Sequence, residues 1–193
     1  PMLLQVQPEN PEQERALALL REWDGSIAPG SAAAAVYEAW YSELFPALFG
    51  DDLGGAQGDD TLGRQDPVAL AQVLRSGNSP WCDDVLEPGP QTCMDTERAA
   101  LDRALEKLSE QLGSDMSKWQ WSKLHVMRFP HNPFTNVSPL NRLFDRAVPV
   151  GGDRYTVNPT AYDVLKPFDS KTLSSYRQIL DLADWNNSRF MHT

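Results

Sequence analysis

The first two-thirds of the chain shows the three- to four-residue spacing of apolar positions that is typical of amphipathic helices. Asn10 and Pro11 are a helix cap and a favoured first helical residue, and Gln13 is placed to reach back to the helix start. The apolar face then comprises Ala16, Leu17, Leu20 and Trp23, and Asp24-Gly25 ends the helix. Ser31 caps a second predicted helix, whose face carries Val36, Tyr37, Trp40, Leu44 and Leu48.

Two further helices are predicted beyond a polar interruption. Residues Gly50 to Gly63 are rich in Gly and Asp and indicate a mobile loop. Asp66-Pro67 begins a short third helix that extends through Leu74. The fourth helix has the clearest pattern, with a natural stop at Gly113. Its apolar face comprises Leu101, Ala104, Leu105, Leu108 and Leu112, and its predicted solvated face comprises Glu97, Asp102, Arg103, Glu106 and Lys107.

After Trp119 the pattern changes to extended segments separated by turns. We predict an extended stretch from Trp121 to Phe129, then two short strands between Val148 and Val157 joined through Gly151-Gly152-Asp153. A longer strand is predicted from Ser174 to Ala183, followed by a turn at residues 184–187 and another strand from Arg189. The predicted class is therefore α+β, with a mainly helical lobe over residues 1–118 and antiparallel strands and turns over residues 119–193.

Composition narrows the class of partner. A chain of 193 residues with six Trp, seven Phe and 41% apolar residues has enough material for a buried core. Its net charge of −10 argues against nucleic acid as a partner. No apolar run approaches the roughly 20 residues that a membrane-spanning helix needs, so a membrane partner is not expected either.

The two cysteines, Cys82 and Cys93, flank a Pro-Gly-Pro turn that is able to bring their thiols together. A disulfide there would close a short loop and indicate an oxidising compartment. Two free, half-buried thiols in a reduced protein are the alternative, and the residues alone leave both open. Two cysteines without nearby histidines do not supply the four ligands of a zinc site.

The histidines and the terminal proline are better explained by structural roles than by metal binding or catalysis. His125 and His131 lie six positions apart around Phe129-Pro130, and we interpret them as structural histidines rather than as metal ligands because no third ligand is in view. His192 carries no functional indication. A terminal proline amine can act as a base, but the sequence after Pro1 does not resemble the short βαβ units of tautomerases.

Serine, aspartate and asparagine positions give equally weak functional indications. Ser138 and Ser188 are interpreted as turn formers because no Gly-x-Ser-x-Gly elbow is present. The pairs Asp51-Asp52 and Asp83-Asp84 lack the spacing of a calcium loop and are interpreted as solvated loop charges. The tripeptides beginning at Asn136 and Asn186 fit a glycosylation pattern without further support.

Two segments are specific enough to resemble a known family. The block HVMRFPHNPF followed by PLNRLFDRAVPVGGDRYTVN, within Lys123 to Asn158, is similar to the C-terminal part of the larger (β) chain of penicillin acylases. SYRQILDLADW is similar to the same region, as are ERALALLREWDG, the helix after Ser31 and the WCDD…TC loop. The resemblance covers most of the chain and implies a segment of an αββα N-terminal nucleophile hydrolase.

The resemblance implies a reaction class, amide hydrolysis, and it implies that the catalytic residues lie outside this chain. In that family an N-terminal Ser attacks a linear amide, with its own α-amine as base and an oxyanion site of backbone amides and an Asn. That Ser, the Asn and the residues that often hold structural calcium would all lie upstream of this chain. We therefore expect no catalytic, metal or cofactor residue here, and only the Cys82–Cys93 disulfide, which the family's export to the periplasm favours.

Two hypotheses follow. In the first, the chain is a scaffold fragment of a penicillin-acylase-type amidohydrolase, inactive alone, in which Pro1 and the strand ending near Thr193 reflect a longer protein. Its partners would be the smaller chain and the remaining β-chain parts, with an amide substrate for the whole enzyme in the periplasm or outside the cell. Its unfinished strands would also permit strand-swapped self-association. In the second hypothesis, the chain is a non-catalytic helical interaction module.

Overall fold

The structure, a computed structural model, describes residues 3–53, 66–163, 168–174 and 176–192. Its helices are α1 Pro11–Glu22, α2 Ala32–Leu53, α3 Pro67–Ser76, α4 Cys93–Leu112, α5 Trp121–Leu124 and α6 Leu140–Phe144. Its strands are β1 Val126–Phe129, β2 Arg146–Pro149, β3 Tyr176–Ile179 and β4 Arg189–His192. The class is α+β, as predicted. No helix among the described residues has the length and apolar character needed to cross a membrane.

The start of α1 follows the predicted capping chemistry. The Asn10 side chain accepts hydrogen bonds from the main-chain nitrogens of Glu12 and Gln13. The Gln13 side chain reaches back, and its Oε1 accepts from the Glu9 nitrogen at 2.7 Å. Its Nε2 donates to Asp102 Oδ1 on α4 at 2.8 Å, so this buried amide also ties α1 to α4.

Helix α2 is the centre of the hydrophobic core. Val36, Trp40, Leu44 and Leu48 on its predicted face are fully buried, and each such side chain stabilises the fold by roughly 1.5–3 kcal/mol. The Trp40 indole nitrogen donates to the Glu97 carbonyl of α4 at 2.9 Å. The loop predicted from Gly50 is wrong for its first residues, because α2 continues through Leu53. The rest of that prediction lies outside the described residues.

The predicted solvated face of α4 is partly wrong. Glu97 is buried, and burial raises its pKa to about 7. Lys107 Nζ contacts Glu43 Oε1 at 2.5 Å, and Arg103 lies 3.6 Å from the other oxygen of the same buried carboxylate. Helix α2 thus supplies charged partners that the sequence of α4 alone does not reveal.

The C-terminal segments form two small antiparallel sheets. Strand β1 pairs with β2 with Val126 opposite Pro149, and β3 pairs with β4 with Tyr176 opposite His192. The β3–β4 hairpin and the turn at Trp185–Asn187 match the prediction, although β3 is shorter than expected. The buried core crosses the predicted boundary at residue 118, because Trp119, Trp121, Leu124, Tyr162 and Phe168 join the core of the helices. The two-part division remains an interpretation of the sequence.

Two expectations for the strands are wrong. Trp121–Leu124 is a helical turn rather than extended, because the Trp121 and Ser122 nitrogens donate to the Ser31 and Pro29 carbonyls of the helical lobe. The glycine pair does not join two strands either. The partner of β2 is β1, and residues 150–157 form an irregular loop.

Candidate functional site

The glycine pair lies against the helical lobe, at the segment between α1 and α2. The Gly152 nitrogen donates to the Ile27 carbonyl at 2.8 Å, and a Cβ at Gly151 would lie 2.7 Å from Pro29 Cδ. Gly152 has φ +87°, and a Cβ there would lie 2.1 Å from the Asn158 carbonyl oxygen. Both positions therefore require glycine for close backbone approach, which is a different role from the predicted hairpin turn.

Asp153 organises the loop that follows. Its Oδ1 accepts hydrogen bonds from the Tyr155 and Thr156 nitrogens, both at 2.7 Å. Its own nitrogen donates to Thr156 Oγ1 at 2.9 Å, and its carbonyl accepts from the Thr160 nitrogen at 2.8 Å. The two bonds to Oδ1 fix the direction of the carboxyl group, and the other two hold the main chain of the loop. We call residues 151–158 the glycine loop.

Aromatic residues and a histidine form the buried support of the glycine loop. The Trp121 indole nitrogen donates to the Gly152 carbonyl at 3.0 Å. His125 stacks on Trp121 with ring centroids 4.6 Å apart, and its Nδ1 donates to the Phe168 carbonyl at 2.7 Å. Burial lowers the pKa of His125. The side chain is therefore a neutral, structural imidazole near pH 7, in agreement with its interpretation as a structural histidine.

A buried glutamate on α2 faces the same support. The Tyr162 hydroxyl donates to Glu38 Oε2 at 2.6 Å. Glu38 is 2% exposed, and its Oε1 is buried with no hydrogen-bond donor among the described residues. Burial raises the pKa of Glu38 to about 8; the bond from Tyr162 opposes this rise, and the charge of Asp153 adds to it. Glu38 is therefore mostly protonated near pH 7.

A cavity of about 680 Å³ lies between the helices and the glycine loop. Trp23 and Tyr37 form part of its wall, with ring centroids 5.2 Å apart, and Tyr41 continues the aromatic row along α2. Asp153 and Tyr155 line the loop side. The remaining lining is mainly apolar and comprises Leu3, Leu4, Leu20, Ile27, Pro67, Leu70, Ala71 and Leu74, with Arg21, Asp24, Gly25 and Thr156. An apolar chamber with a few fixed polar groups has the general character of a small-molecule site.

Cys82 and Cys93 are joined in a disulfide beside the N-terminus of α4. The loop it closes is further ordered by side chains: the Gln91 nitrogen donates to Asp83 Oδ1 at 2.9 Å, and the Leu86 nitrogen donates to Asp84 Oδ1 at 2.9 Å. The two aspartates thus serve the loop's own backbone. No group of three or more His, Cys, Asp or Glu side chains within the described ranges is arranged to hold a metal ion.

The remaining candidates are dispersed over the structure. His131 is exposed and stacks on Phe134 with centroids 5.1 Å apart, so it does not meet the buried His125. Asp51 Oδ2 accepts from the Val85 nitrogen at 2.9 Å. Ser188 Oγ accepts from the Asp181 nitrogen at 3.1 Å and is a turn former, as interpreted from the sequence.

Sequence reasoning missed the buried pair of Glu38 and Tyr162, and it missed Asp153 as the residue that orders the glycine loop. Glu38 and Tyr162 are 124 positions apart, and no short motif links them. A signal was nevertheless present, because Glu38 is the only charged residue between Asp24 and Glu43 and lies in the strongly apolar run that begins α2. A lone carboxyl in such a run indicates a buried group that needs a partner.

The chain belongs to the penicillin amidase family, whose model matches residues 1–193. Among individual proteins, it is similar to the acyl-homoserine lactone acylase QuiP of Pseudomonas syringae pv. tomato, with 30% identity over 90% of this chain and 22% of that protein. QuiP of Pseudomonas putida is 31% identical over 86% of this chain and 21% of the relative. QuiP of Pseudomonas aeruginosa is 27% identical, over 90% and 23% respectively. The chain spans about a fifth of the length of these relatives.

Proposed function

We propose that this chain is a scaffold segment of an amidohydrolase that cleaves linear amides through an N-terminal Ser outside residues 1–193. The observation that carries the proposal is the family match along the whole chain, together with relatives whose names describe acyl-homoserine lactone acylases. The substrate class is an acyl amide such as an acyl-homoserine lactone, the side chain of a penicillin or an acylated peptide. The segment alone is inactive in this account.

The geometry of the described residues supports a scaffold role. The glycine loop, which lies within the segment that resembles acylases, is held to the segment between α1 and α2 by the Gly152–Ile27 hydrogen bond and to α5 by the Trp121 indole. Ser188 is engaged with its own turn, and His125 donates to the Phe168 carbonyl. A nucleophile needs a base within hydrogen-bond reach, and neither side chain is shown with such a partner.

The β3–β4 hairpin supports an interface with the rest of the parent protein. Large apolar side chains along it are exposed: Tyr176 58%, Ile179 60%, Leu182 76%, Trp185 68% and Phe190 66%. A two-stranded sheet is marginal by itself in water, and exposed apolar surface of this kind marks a contact site. The other strands of the parent enzyme are the proposed partner, and a strand swap between two copies is the competing outcome.

The proposed location is the periplasm or the outside of the cell. The disulfide between Cys82 and Cys93 supports it, because disulfides persist in oxidising compartments. Thiol alkylation of the protein in intact cells tests this. Two protected cysteines are expected, whereas two reactive thiols in a natively folded protein would contradict the proposed location.

The proposed function is tested by hydrolysis assays on the parent polypeptide and on this chain alone, using an acyl-homoserine lactone and a chromogenic acyl anilide. Turnover is expected from the parent and none from the chain. Replacing the parent's N-terminal Ser by Ala should abolish turnover, while the matched Ser188→Ala variant should retain it. Turnover by the chain alone, lost on replacing a residue within it, would refute the proposal.

A further inference from the structure

Two carboxyl groups border the cavity between the helices and the glycine loop. Asp24 follows the end of α1, Asp153 belongs to the glycine loop, and both line the cavity. Asp153 is held in place because its Oδ1 accepts from the Tyr155 and Thr156 nitrogens at 2.7 Å. Asp24 Oδ1 accepts from the Ser26 nitrogen at 2.8 Å. A largely apolar chamber therefore has two carboxylates that are fixed by main-chain hydrogen bonds.

The C-terminal end of α1 adds to the negative character of the cavity. Arg21 lies in the last turn of this 12-residue helix and Trp23 caps it, and both line the cavity. The aligned peptide dipoles of a helix place a partial negative charge at its C-terminus, where a cation is stabilised. The end of α1 and the two carboxylates thus favour a positive group in the same chamber.

The positive charge near the cavity is smaller than the negative charge. Among the lining residues that the structure describes, Arg21 is the one cation. Arg21 is exposed, and within the described ranges it forms no ion pair with either carboxylate. Arg154, the neighbour of Asp153 in the chain, is also exposed and is not among the residues that line the cavity. The lining therefore retains an excess of negative charge.

Aromatic rings supply a second feature that favours a cation. Trp23 and Tyr37 have ring centroids 5.2 Å apart, and Tyr41 stacks with Tyr37 at 6.1 Å. All three residues line the cavity, and the Trp23 indole nitrogen donates to the Ser26 carbonyl at 2.9 Å, which fixes that ring. The face of an aromatic ring attracts a cation, most strongly where water is excluded. Rings and carboxylates together are complementary to a positive group on an apolar body, whereas an anionic ligand would be repelled.

We propose that this cavity binds an organic cation with an apolar body, of the quaternary ammonium class. The positive group lies near Asp153 and the rings of Trp23 and Tyr37, and the apolar body lies against the leucine side chains that α1 and α3 contribute to the lining. The volume of about 680 Å³ is in the range of small-molecule sites. This inference concerns the chain's own residues and does not rest on the proposed amidase activity.

The test is a calorimetric titration of the parent polypeptide with (4-hydroxyphenyl)trimethylammonium and with 4-tert-butylphenol, its neutral isostere. The cation is expected to bind one to one with a Kd of about 1 mM or below, at least about threefold more tightly than the neutral compound. Absence of cation binding would overturn the proposal. Equal or tighter binding of the neutral isostere would overturn it as well.

Charge variants test whether the cation binds in this cavity. Asp153→Asn keeps the oxygen that accepts the loop N–H bonds but removes the charge, so it should weaken cation binding by about fivefold or more and change the affinity for 4-tert-butylphenol by less than about twofold. Arg21→Gln removes a competing positive charge at an exposed position, where the fold tolerates it, and should strengthen cation binding by about twofold or more. An affinity for the cation that neither variant changes would refute the site.

Two further variants separate the rings from the general effect of charge. Tyr37→Leu keeps an apolar side chain but removes the ring face, so its loss of affinity should be at least about threefold larger for the cation than for the neutral isostere. Equal losses would show apolar packing alone and refute the cation site. Glu110→Gln is the matched control, because Glu110 is an exposed acid of α4 that does not line the cavity, and it should change neither affinity. A loss there as large as that in Asp153→Asn would likewise contradict the proposal.

Discussion

The indole nitrogen of Trp121 donates a hydrogen bond to the Gly152 carbonyl at 3.0 Å, and it joins a buried side chain of α5 to the glycine loop. Trp121 is fully buried and Gly152 is buried as well, so water does not readily replace the indole as the donor to the Gly152 carbonyl. The bond explains why a loop without regular secondary structure has a defined position. It also predicts that Trp121 contributes to stability through polar as well as apolar contacts.

Trp121→Phe should therefore destabilise the fold by about 2–4 kcal/mol, from the lost donor to a buried carbonyl together with the volume that phenylalanine leaves empty. Urea unfolding measures the change in free energy. Trp185→Phe is the matched control, because Trp185 is 68% exposed and its replacement should cost less than about 0.5 kcal/mol. Equal costs at the two positions would contradict the role given to Trp121.

Gly152→Ala should be strongly destabilising. The alanine Cβ would lie 2.1 Å from the Asn158 carbonyl oxygen, a backbone atom, and the positive φ adds strain of about 1 kcal/mol. We expect a total cost above about 3 kcal/mol, or a loop that leaves its position. Gly25→Ala is the control, because Gly25 has φ +82° but no atom within 4 Å of its Cβ position. It should show only the strain, in the same unfolding measurement.

The disulfide should contribute to stability mainly by restricting the unfolded chain. Replacing both Cys82 and Cys93 by Ser opens a loop with a sequence separation of 11 residues, which costs about 2–3 kcal/mol in the chain-entropy model. Thermal unfolding with and without reductant measures this. Reductant should lower the melting temperature of the unmodified chain toward that of the double variant and leave the variant unchanged. If reductant also lowers the melting temperature of the variant, the loss of stability does not come from the disulfide.

The free energy of unfolding should fall as pH rises, because two carboxyl groups are buried in the fold. The folded-state pKa of Glu38 is raised to about 8 and that of Glu97 to about 7, from an ordinary 4.5. Both groups bind their protons more tightly when folded, so the stability they contribute is present below about pH 4.5 and is lost as pH rises toward 7 or 8. His125, whose pKa burial lowers, acts in the opposite sense, and its contribution is lost as pH falls below its unfolded pKa of about 6.5.

The corresponding variants separate these contributions. Glu97→Gln should flatten the decline in stability between about pH 4.5 and 7, and Glu38→Gln should flatten it as far as about pH 8. Denaturant unfolding at several pH values measures both slopes. A Glu38→Gln variant whose stability still declines between pH 7 and 8 as steeply as that of the unmodified chain would contradict the assignment to Glu38.

Helix starts, helix ends and turns were predictable from the sequence where they depend only on neighbouring residues. The Asn10–Pro11 start of α1, the stop of α4 at Gly113 and the turn between β3 and β4 depend on neighbouring residues, and each is present in the structure. Leu101 and Leu108 are buried on the face that their spacing predicts. In these cases the periodicity and the capping residues agree with each other.

The features that the sequence did not predict depend on contacts between residues that are distant in the chain. Gly151-Gly152 fits a hairpin turn by type, but its close approach to Pro29 and Ile27 gives it a docking role that spacing cannot reveal. Glu97 was assigned to the solvated face because it is charged, although its spacing of four and eleven residues from Leu101 and Leu108 places it on the apolar face, where the fold buries it. The contact between Glu38 and Tyr162 joins distant parts of the sequence, so only the three-dimensional arrangement brings the pair together.

The most direct measurement for the proposed function is covalent labelling of the parent enzyme with a serine-reactive, substrate-like inhibitor, followed by peptide mapping. The label is predicted on an N-terminal Ser outside residues 1–193, with loss of turnover in proportion to labelling and no modified residue within this chain. Inactivation that follows modification of a residue inside 1–193 would contradict the assignment of this chain as scaffold.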